Sequence, residues 1–179
     1  EYIVSLLSGL CNIGNVFVVD KEFKQDGLTT LFNIVKPDLI IMDDEIGLRH
    51  PEITTLYFSQ VNKIMKENYC FDVDKSFAGN LILHTSGTTG TPKGVMLTHY
   101  NVVNNGKYIG DHMDLSTADR MMIQVPMFHC FGMVLSMTAS MTHGTTMYPL
   151  PYFSPKPALA CVHNEHITTF NGVPTMFIA

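Results

Sequence analysis

The first third of the chain alternates between helix-like and strand-like patterns of apolar residues. Apolar positions recur at helical spacing over residues 2–12 and again over residues 28–35. A short apolar run follows each of them, at residues 15–19 and 38–42. Such continuous apolar runs are typical of parallel strands that are buried on both faces. The order helix, strand, helix, strand therefore predicts an α/β layer built on a parallel sheet.

Residues 50–79 are polar, have no sustained hydrophobic period and are predicted to be irregular. A second series of alternating strand-like and helix-like patterns follows them. Strands are predicted at residues 81–84, 94–97, 121–125, 145–148 and 167–170, and helices after Thr98, over residues 129–143 and over residues 158–163. Thr98 is suited to cap a helix, and Gly144 is suited to end one. We therefore predict an α/β fold of mostly parallel sheets flanked by helices. Its expected parts are an α/β segment at 1–57, a connecting segment at 58–79 and a second α/β segment at 80–179.

Composition and charge exclude several classes of protein. With 46% hydrophobic and 15% charged residues, the chain can bury a core that a disordered chain cannot form. A net charge of −5 gives no basic footprint, so no nucleic-acid partner is predicted. No stretch approaches the roughly 20 apolar residues of a membrane helix, so no transmembrane segment is predicted.

Cysteine spacing bears on the cellular compartment and on metal binding. The four cysteines are far apart, which predicts reduced thiols and a cytoplasmic protein: Cys11, Cys70, Cys130 and Cys161. The cluster at residues 163–166 holds two histidines and a glutamate, but no second ligand pair accompanies it. We predict a solvated helix end there, and no metal ligand in this chain.

The candidate chemistry lies in a loop at residues 85–94 that is rich in glycine and hydroxyl groups. Gly87 and Gly90 allow turns whose backbone N–H groups face a bound anion. Four threonines and one serine add hydroxyl donors, and Lys93 supplies a compact positive charge. Since the loop has no carboxylate, a polyphosphate is the ligand that this donor set favours.

The loop departs from the ordinary phosphate loop, G-x-x-x-x-G-K-S/T. Pro92 stands where the second glycine should be, and Gly94 replaces the hydroxyl residue that binds magnesium. Gly94 also leads into a strand pattern, whereas the ordinary loop leads into a helix. A flexible surface hairpin is the structural alternative to a phosphate site.

Three blocks together resemble the adenylate-forming (AMP-binding) superfamily. Residues 85–101, which begin TSGTTGTPKG, resemble its phosphate-loop signature. Residues 126–133, PMFHCFGM, are similar to its next motif, and residues 171–177, NGVPTMF, to the segment before its adenine-binding motif. With Asn104-Asn105-Gly106 and Thr142-His143-Gly144, the blocks are most similar to the fatty acyl-CoA synthetase branch. Residues 1–50 match more loosely.

The resemblance implies a two-step ligase whose substrates are a fatty acid or related carboxylate, ATP with Mg²⁺, and coenzyme A. The carboxylate attacks the α-phosphate, which gives an acyl-adenylate and pyrophosphate, and the coenzyme A thiolate then displaces AMP. The phosphates are implied to bind the loop through Thr85, Ser86, Gly87, Thr88, Thr89, Gly90 and Lys93. Donors aimed at a leaving pyrophosphate would lower the barrier, because negative charge develops there.

The resemblance also implies residues for the acyl side of the site. His129 is the candidate catalytic residue, with an orienting role near the acyl carboxylate and the path of coenzyme A; a purely structural histidine is the alternative. The candidates for the substrate pocket are Phe128, Gly132, Gly172, Val173 and Pro174. Core packing and helix initiation by proline are alternatives for them, because an acyl pocket needs the same residue types.

The family's downstream parts do not occur within these residues: the adenine, ribose and magnesium ligands and the small C-terminal domain with its catalytic lysine. We therefore expect part of the large N-terminal domain, inactive by itself. A related enzyme for an aryl or amino acid, or a non-catalytic nucleotide-binding remnant, are the alternative functions. Acyl chain length, oligomeric state and peripheral attachment to a membrane surface stay open.

Overall fold

The computed structural model describes residues 6, 14–20, 23–43, 46, 52–60, 80–85 and 93–178. The chain divides into two compact units, Glu1–Ile82 and Leu83–Ala179. Each unit combines helices with strands that pair in parallel, so the predicted α/β class with mostly parallel sheets is confirmed. The three segments predicted from the sequence stay a prediction. Of the helix predicted over residues 2–12, the described residue is Leu6, which is helical and buried.

In the first unit, helix α1 (Gln25–Val35) precedes strand β2 (Leu39–Met42), as the pattern predicts. The helix ends where Lys36 adopts a left-handed backbone with φ of 48° and donates its N–H to the carbonyl of Phe32 at 2.8 Å. Proline cannot continue a helix, so the following Pro37 makes this end definite.

Strand β1 (Val16–Phe17) pairs in parallel with the beginning of strand β4 (Leu81–His84). Val16 lies opposite Leu81, a residue that is almost fully buried. The Asn15 side chain accepts hydrogen bonds from the backbone and side-chain nitrogens of Asn80, at 3.0 and 3.1 Å. This amide pair fixes the register at the start of both strands.

Strand β3 (Thr54–Tyr57) pairs in parallel with β2 along its whole length, from Leu39 opposite Thr54 to Met42 opposite Tyr57. The prediction that residues 50–79 are irregular is wrong for this strand. Its four residues contain one aliphatic side chain and give no apolar run, but threonine and tyrosine fit a pleated surface once a partner strand is present. Residues 61–79 lie outside the described residues.

The second unit contains the end of β4, strand β5 (Gly94–Leu97) and helix α2 (His99–His112). Thr98 caps α2 as predicted. Its hydroxyl accepts a hydrogen bond from Asn101 N at 3.2 Å, and the Asn101 side chain accepts one from Thr98 N at 3.1 Å. This reciprocal capping box satisfies two backbone donors and sets the direction of α2 directly after β5.

Strand β6 (Arg120–Ile123) is the centre of a parallel sheet, between β7 (Thr146–Pro149) and β8 (Thr169–Phe170). Met121 lies opposite Met147 on one side and Thr169 on the other. The β6 side chains from Met121 to Ile123 are at most 1% exposed, so this strand forms the core of the unit. All three strands run the same way, and their carboxyl ends therefore share one edge.

The helix predicted over residues 129–143 is present, but its first part is wound as a π-helix. Residues Phe131–Thr138 are π-helical, and helix α3 (Ala139–His143) continues them to Gly144, whose φ of 67° ends the helix as predicted. Helices α4 (Pro155–Asn164) and α5 (Pro174–Ile178) follow. None of the helices that the structure describes is long and apolar enough to span a bilayer. Apolar periodicity does not separate an α turn from a π turn, so the winding could not be predicted.

Helix α2 lies very close to the π-helical segment and α3. A Cβ added at Gly106 would be 2.6 Å from Thr138 Cγ2, and one added at Gly110 would overlap the ring of His143. His143 Nε2 lies 3.2 Å from Asp111 Oδ1, and Lys107 Nζ lies 2.7 Å from Asp111 Oδ2. The hydrogen bonds from Lys107 and then His143 hold the pKa of Asp111 below its usual value. The two glycines let the helix backbones approach closely enough for this contact.

Asp119 connects the turn before β6 with the turn before β8. Its Oδ2 accepts hydrogen bonds from the backbone nitrogen and hydroxyl of Ser116, both at 2.9 Å, and its Oδ1 accepts one from the Thr168 hydroxyl at 2.8 Å. These bonds, with Thr168 the largest contributor, lower the pKa of the Asp119 carboxyl from 3.8. The ionised form therefore stabilises the amino end of the sheet.

We expect the free energy of unfolding of the full-length Asp119→Asn variant to fall less at acid pH than that of the wild type. A carboxylate whose pKa is lowered by folding stabilises the protein above its unfolded pKa, and this contribution is lost as pH falls through the folded pKa. The wild type should therefore lose more free energy of unfolding between neutral pH and the region below 3.8. Urea denaturation at paired pH values measures the difference. The exposed Asp38→Asn is the control, and identical pH dependence of all three proteins would contradict the role of Asp119.

Candidate active site

Thr85 and Lys93 close the base of the predicted phosphate loop. Thr85 N donates a hydrogen bond to Lys93 O at 2.9 Å, and Lys93 N donates one to Thr85 Oγ1 at 3.4 Å. The loop leaves from the end of β4 and returns into β5, which is its hydrogen-bonded neighbour. Both residues are exposed, and within the described residues the Lys93 ammonium has no ion pair. A cation on a loop whose two ends are fixed is suited to phosphate oxygens.

The rest of the predicted phosphate site lies outside the described residues: Ser86, Gly87, Thr88, Thr89 and Gly90. Their contribution to phosphate binding stays a prediction. The prediction that Gly94 leads into a strand is confirmed, because β5 begins at that residue. This loop therefore connects two strands, unlike the ordinary phosphate loop, which leads into a helix N-terminus.

A second group of candidate residues lies at the carboxyl edge of the sheet formed by β7, β6 and β8. Strand β6 continues into residues 124–129, and β8 continues into residues 171–174. Gln124 Nε2 donates a hydrogen bond to Asn171 O at 3.4 Å and so joins the two segments. Ligands of open α/β sheets bind outside the carboxyl ends of the strands. This edge is therefore the candidate substrate side of the unit.

His129 lies in the turn between β6 and the π-helical segment, with its side chain exposed. Its backbone N–H donates to Pro126 O at 3.2 Å, and its carbonyl accepts from Met133 N at 3.0 Å. The ring nitrogen Nδ1 accepts a hydrogen bond from Phe131 N at 3.2 Å. Since Nδ1 accepts, the neutral ring carries its proton on Nε2, which has no partner among the described residues and can donate to an anionic oxygen. This geometry fits an orienting group for a carboxylate.

Gly132 lies against the backbone of the segment that carries His129. A Cβ added at Gly132 would be 2.7 Å from Val125 O and closer still to Pro126 O. Only glycine fits at this distance, so Gly132 allows the turn to fold back onto the end of β6. Phe128 is half-buried in the same turn. Their part in lining a substrate pocket stays a prediction.

Asn171 and Gly172 bring the end of β8 into contact with the turn and the π-helical segment. Asn171 Nδ2 donates to Leu135 O at 3.3 Å and to Ser136 Oγ at 3.1 Å. A Cβ added at Gly172 would lie 3.2 Å from Gln124 Nε2 and 3.1 Å from the Phe177 ring. Asn171 thus connects three segments of the candidate pocket, and Gly172 allows its backbone to approach the Gln124 amide and the Phe177 ring closely.

Val173 and Pro174, the other predicted pocket residues, are both exposed. Pro174 is the first residue of α5, which agrees with helix initiation by proline. The ring of Phe177, in the same helix, stacks on Phe170 with 5.5 Å between ring centroids. Val173 and Pro174 therefore lie where the chain passes from β8 into α5, at the candidate substrate side.

Sequence reasoning missed two residues of this edge, Gln124 and Asn171. Gln124 is 4% exposed and directly follows strand β6, whose last three side chains, Met121 to Ile123, are apolar. A polar residue within an apolar run was the available signal, because buried polar groups need partners and are informative for that reason. The partner itself, Asn171, is 47 residues away in sequence, and the sequence does not indicate that contact.

The described residues do not form a metal centre. Within the parts of the chain that the structure describes, no group of three or more histidine, cysteine or acidic side chains could hold an ion. Two cysteines are described there, Cys130 and Cys161, and both are free thiols. Burial, with a smaller effect of Glu165, raises the pKa of the Cys161 thiol. Helix α4 ends at Asn164, and His163 and His166 are exposed, as a solvated helix end requires.

Comparison with known protein families shows to which family this chain belongs. Residues 15–179 match the family model of the AMP-binding enzyme. This chain belongs to the AMP-binding enzyme family. The AMP-binding chain is 45% identical over 133 residues to YngI of Bacillus subtilis (strain 168), provisionally named an acyl-CoA synthetase. It is 33% identical over 167 residues to the mitochondrial medium-chain acyl-CoA ligase ACSF2 of Mus musculus. The homologues are thus acyl-CoA synthetases and ligases.

Solved structures share the fold of the AMP-binding chain. ATP-bound MatB from Rhodopseudomonas palustris superposes on 99% of the chain with a TM-score of 0.83 at 21% identity. The o-succinylbenzoate coenzyme A synthetase MenE from Bacillus subtilis, in complex with ATP and magnesium, covers 99% with a TM-score of 0.82 at 19% identity. The chain corresponds to 38% of each of these structures. The alignment with YngI covers 74% of this chain and 24% of YngI. The alignment with ACSF2 covers 88% of this chain and 25% of ACSF2.

Proposed function

We propose that this chain is part of an ATP-dependent acyl-CoA synthetase that acts on a fatty acid. In the first step, a carboxylate oxygen bonds to the α-phosphorus of ATP, and the bond from that phosphorus to the oxygen bridging to the β-phosphate breaks. The products are an acyl-adenylate and pyrophosphate. In the second step, the coenzyme A thiolate bonds to the acyl carbon, and the bond from that carbon to the AMP oxygen breaks.

The observation that carries this proposal is the closed base of the loop between β4 and β5. Two hydrogen bonds hold Thr85 and Lys93 together, and the exposed Lys93 directly follows, in the sequence, a segment rich in hydroxyl residues and glycines. Negative charge develops on the pyrophosphate as it leaves, so a cation placed beside it lowers the barrier of the first step. The loop supplies donors without a carboxylate that would repel the phosphates.

His129 supports the same proposal from the acyl side. With Nδ1 held by Phe131 N, the exposed imidazole presents Nε2–H as a donor for a carboxylate oxygen. We assign it the orientation of the acid, with no proton transfer. Holding the carboxylate and the α-phosphate in register supplies much of the rate increase, because it removes the entropy cost of bringing them together.

A fatty acid is the preferred class of substrate. Phe128 and Val173 are apolar and lie in the two turns of the candidate substrate side, and Gly132 and Gly172 are in close contact with residues beside these turns. An acyl chain needs an apolar lining of this kind. The relative ACSF2 carries the name medium-chain acyl-CoA ligase, which agrees with an alkyl acid. The cytoplasmic location expected from the cysteines stays a prediction.

ATP is expected to bind together with Mg²⁺, as it does in the MenE structure. When bound, the ion neutralises phosphate charge and polarises the phosphoryl oxygens. The described residues hold no cluster of acidic side chains that fits this ion, so we assign none of them to it. Lys93 would contribute its charge to the β- and γ-phosphates independently of the ion.

The test is an assay of pyrophosphate release by the full-length protein with ATP, Mg²⁺ and a series of acids. We expect release that depends on a saturated fatty acid, and acyl-CoA that forms only when coenzyme A is added. Benzoate and single amino acids are the matched controls, because they test the alternative adenylating enzymes. Nucleotide binding without release of pyrophosphate from any acid would overturn the proposal and favour a non-catalytic remnant.

A further inference from the structure

The backbone N–H of Phe131 is the group that holds the ring of His129. Phe131 is the first residue of the π-helical segment, and the first N–H groups of a helix have no carbonyl partner within it. The Phe131 N–H donates instead to His129 Nδ1 at 3.2 Å. The tautomer and the direction of the ring therefore depend on where the first π turn lies.

Asn171 holds the next part of the π-helical segment from outside the helix. Its Nδ2 donates to Leu135 O at 3.3 Å and to Ser136 Oγ at 3.1 Å, which gives both amide hydrogens an acceptor. Its own backbone is held as well, because its carbonyl accepts from Nε2 of the buried Gln124 at 3.4 Å. Since Asn171 directly follows β8, these contacts connect the π-helical segment to the carboxyl edge of the sheet.

Ser136 connects Asn171 to the first π turn. Its side chain is fully buried, and its oxygen accepts from Asn171, so its hydroxyl hydrogen is left to donate. It donates to Phe131 O at 3.4 Å, five residues earlier. Residues five apart are neighbours in this winding, because π-helical backbone bonds join residues i and i+5. The hydrogen-bonded series from Asn171 through Ser136 thus ends at the residue that holds His129.

We propose that Asn171 is a positioning residue for His129. By holding the π-helical segment through Ser136, it keeps the Phe131 N–H on Nδ1, so that Nε2 carries the proton and is the donor to the acyl carboxylate. This inference rests on the proposed acyl-CoA synthetase function, in which His129 orients the acid. A substrate-orienting group needs such support, because a displacement of about 1 Å lowers the rate by about 100-fold.

The first experiment measures the tautomer of His129 by nitrogen NMR of the full-length protein with isotope-labelled histidine, at a pH where the ring is neutral. The signals of His129 are those that are missing in His129→Ala. We expect the wild-type ring to carry its proton on Nε2. Asn171→Leu keeps the size of the side chain and removes both donors, and it should show a mixture of the two tautomers. A wild-type ring protonated on Nδ1, or an unchanged tautomer in Asn171→Leu, would overturn the proposal.

The second experiment is a double-mutant cycle on kcat/KM for pyrophosphate release. Asn171→Leu should lower kcat/KM by about tenfold to a hundredfold in the wild type, but by less than about twofold where His129 is already replaced by alanine. An asparagine that only stabilises the fold would lower it by the same factor in both backgrounds, and that result would overturn the positioning role. If the wild type releases no pyrophosphate with any acid, the proposed function fails, and the tautomer still decides the role of Asn171.

Thr145→Val is the matched control, because Thr145 is also buried and its hydroxyl donates to a backbone carbonyl, Ser116 O, at 2.9 Å. This bond lies at the opposite, amino end of the sheet, directly before β7. The variant should lose stability to urea but keep the wild-type tautomer and kcat/KM; a changed tautomer would show that lost stability alone moves the ring, against the proposal. Ser136→Ala removes the connecting hydroxyl and should change the tautomer as Asn171→Leu does. It decides the question where Asn171→Leu does not fold, and a wild-type tautomer in Ser136→Ala would overturn the connection through Ser136.

Discussion

Lys93→Ala in the full-length protein should lower kcat/KM for pyrophosphate release by about 100- to 1,000-fold while the protein stays folded. Lys93 is exposed, and its side chain has no ion pair within the described residues, so we expect its loss to cost little stability. The two hydrogen bonds between Thr85 and Lys93 use only main-chain atoms of residue 93, so we expect them to persist in the variant. We therefore expect the lost charge to affect phosphate binding and not the fold.

The control is Lys156→Ala, which removes the same charge from an exposed position on α4. It should leave release near the wild-type rate, and the unfolding midpoints of both variants should match that of the wild type. A rate for Lys93→Ala equal to that of Lys156→Ala would remove the role that we assign to Lys93. A large loss shared by both variants would indicate a general effect of net charge.

The fold could be predicted from the sequence wherever an apolar run or a turn residue favours a single type of local structure. Strand β6 is the clearest case, because its run of methionine and isoleucine, Met121 to Ile123, is almost fully buried. Gly144 marked one helix end correctly. Strand β3 was missed, because it depends on its partner β2 more than on its own composition.

The candidate site was predictable to a smaller extent. Phosphate binding by the loop could be predicted from its composition, because hydroxyl residues, glycines and a lysine occur together within ten residues. The neighbours of His129 were not, because they depend on the turn that brings Phe131 N to its ring. The contact of Gln124 with Asn171 depends on the parallel pairing of β6 with β8, which places distant residues at one edge. The candidate phosphate loop could thus be predicted from the local sequence, whereas the contacts around His129 and Gln124 depend on the tertiary structure.

Gly132→Ala should damage both stability and activity, although it adds a single methyl group. The added Cβ would lie 2.7 Å from Val125 O and closer to Pro126 O, and backbone atoms cannot move aside as a flexible side chain can. The turn must shift, which we expect to cost about 1–3 kcal/mol of unfolding free energy. The same shift moves His129, and a displacement of about 1 Å at a substrate-orienting group lowers the rate by about 100-fold.

Gly27→Ala separates this effect from the general consequence of replacing a glycine by alanine. Gly27 lies within α1, where the added Cβ would be 3.1 Å from the side chain of Phe23, and alanine favours a helix over glycine by about 0.5–1 kcal/mol. Urea denaturation and pyrophosphate release of the full-length variants are the measurements. Gly27→Ala should match or exceed the wild type in stability, whereas Gly132→Ala should lose both stability and rate. If Gly132→Ala keeps its rate but loses stability, the turn would be a packing element, and the position of His129 would not control the reaction.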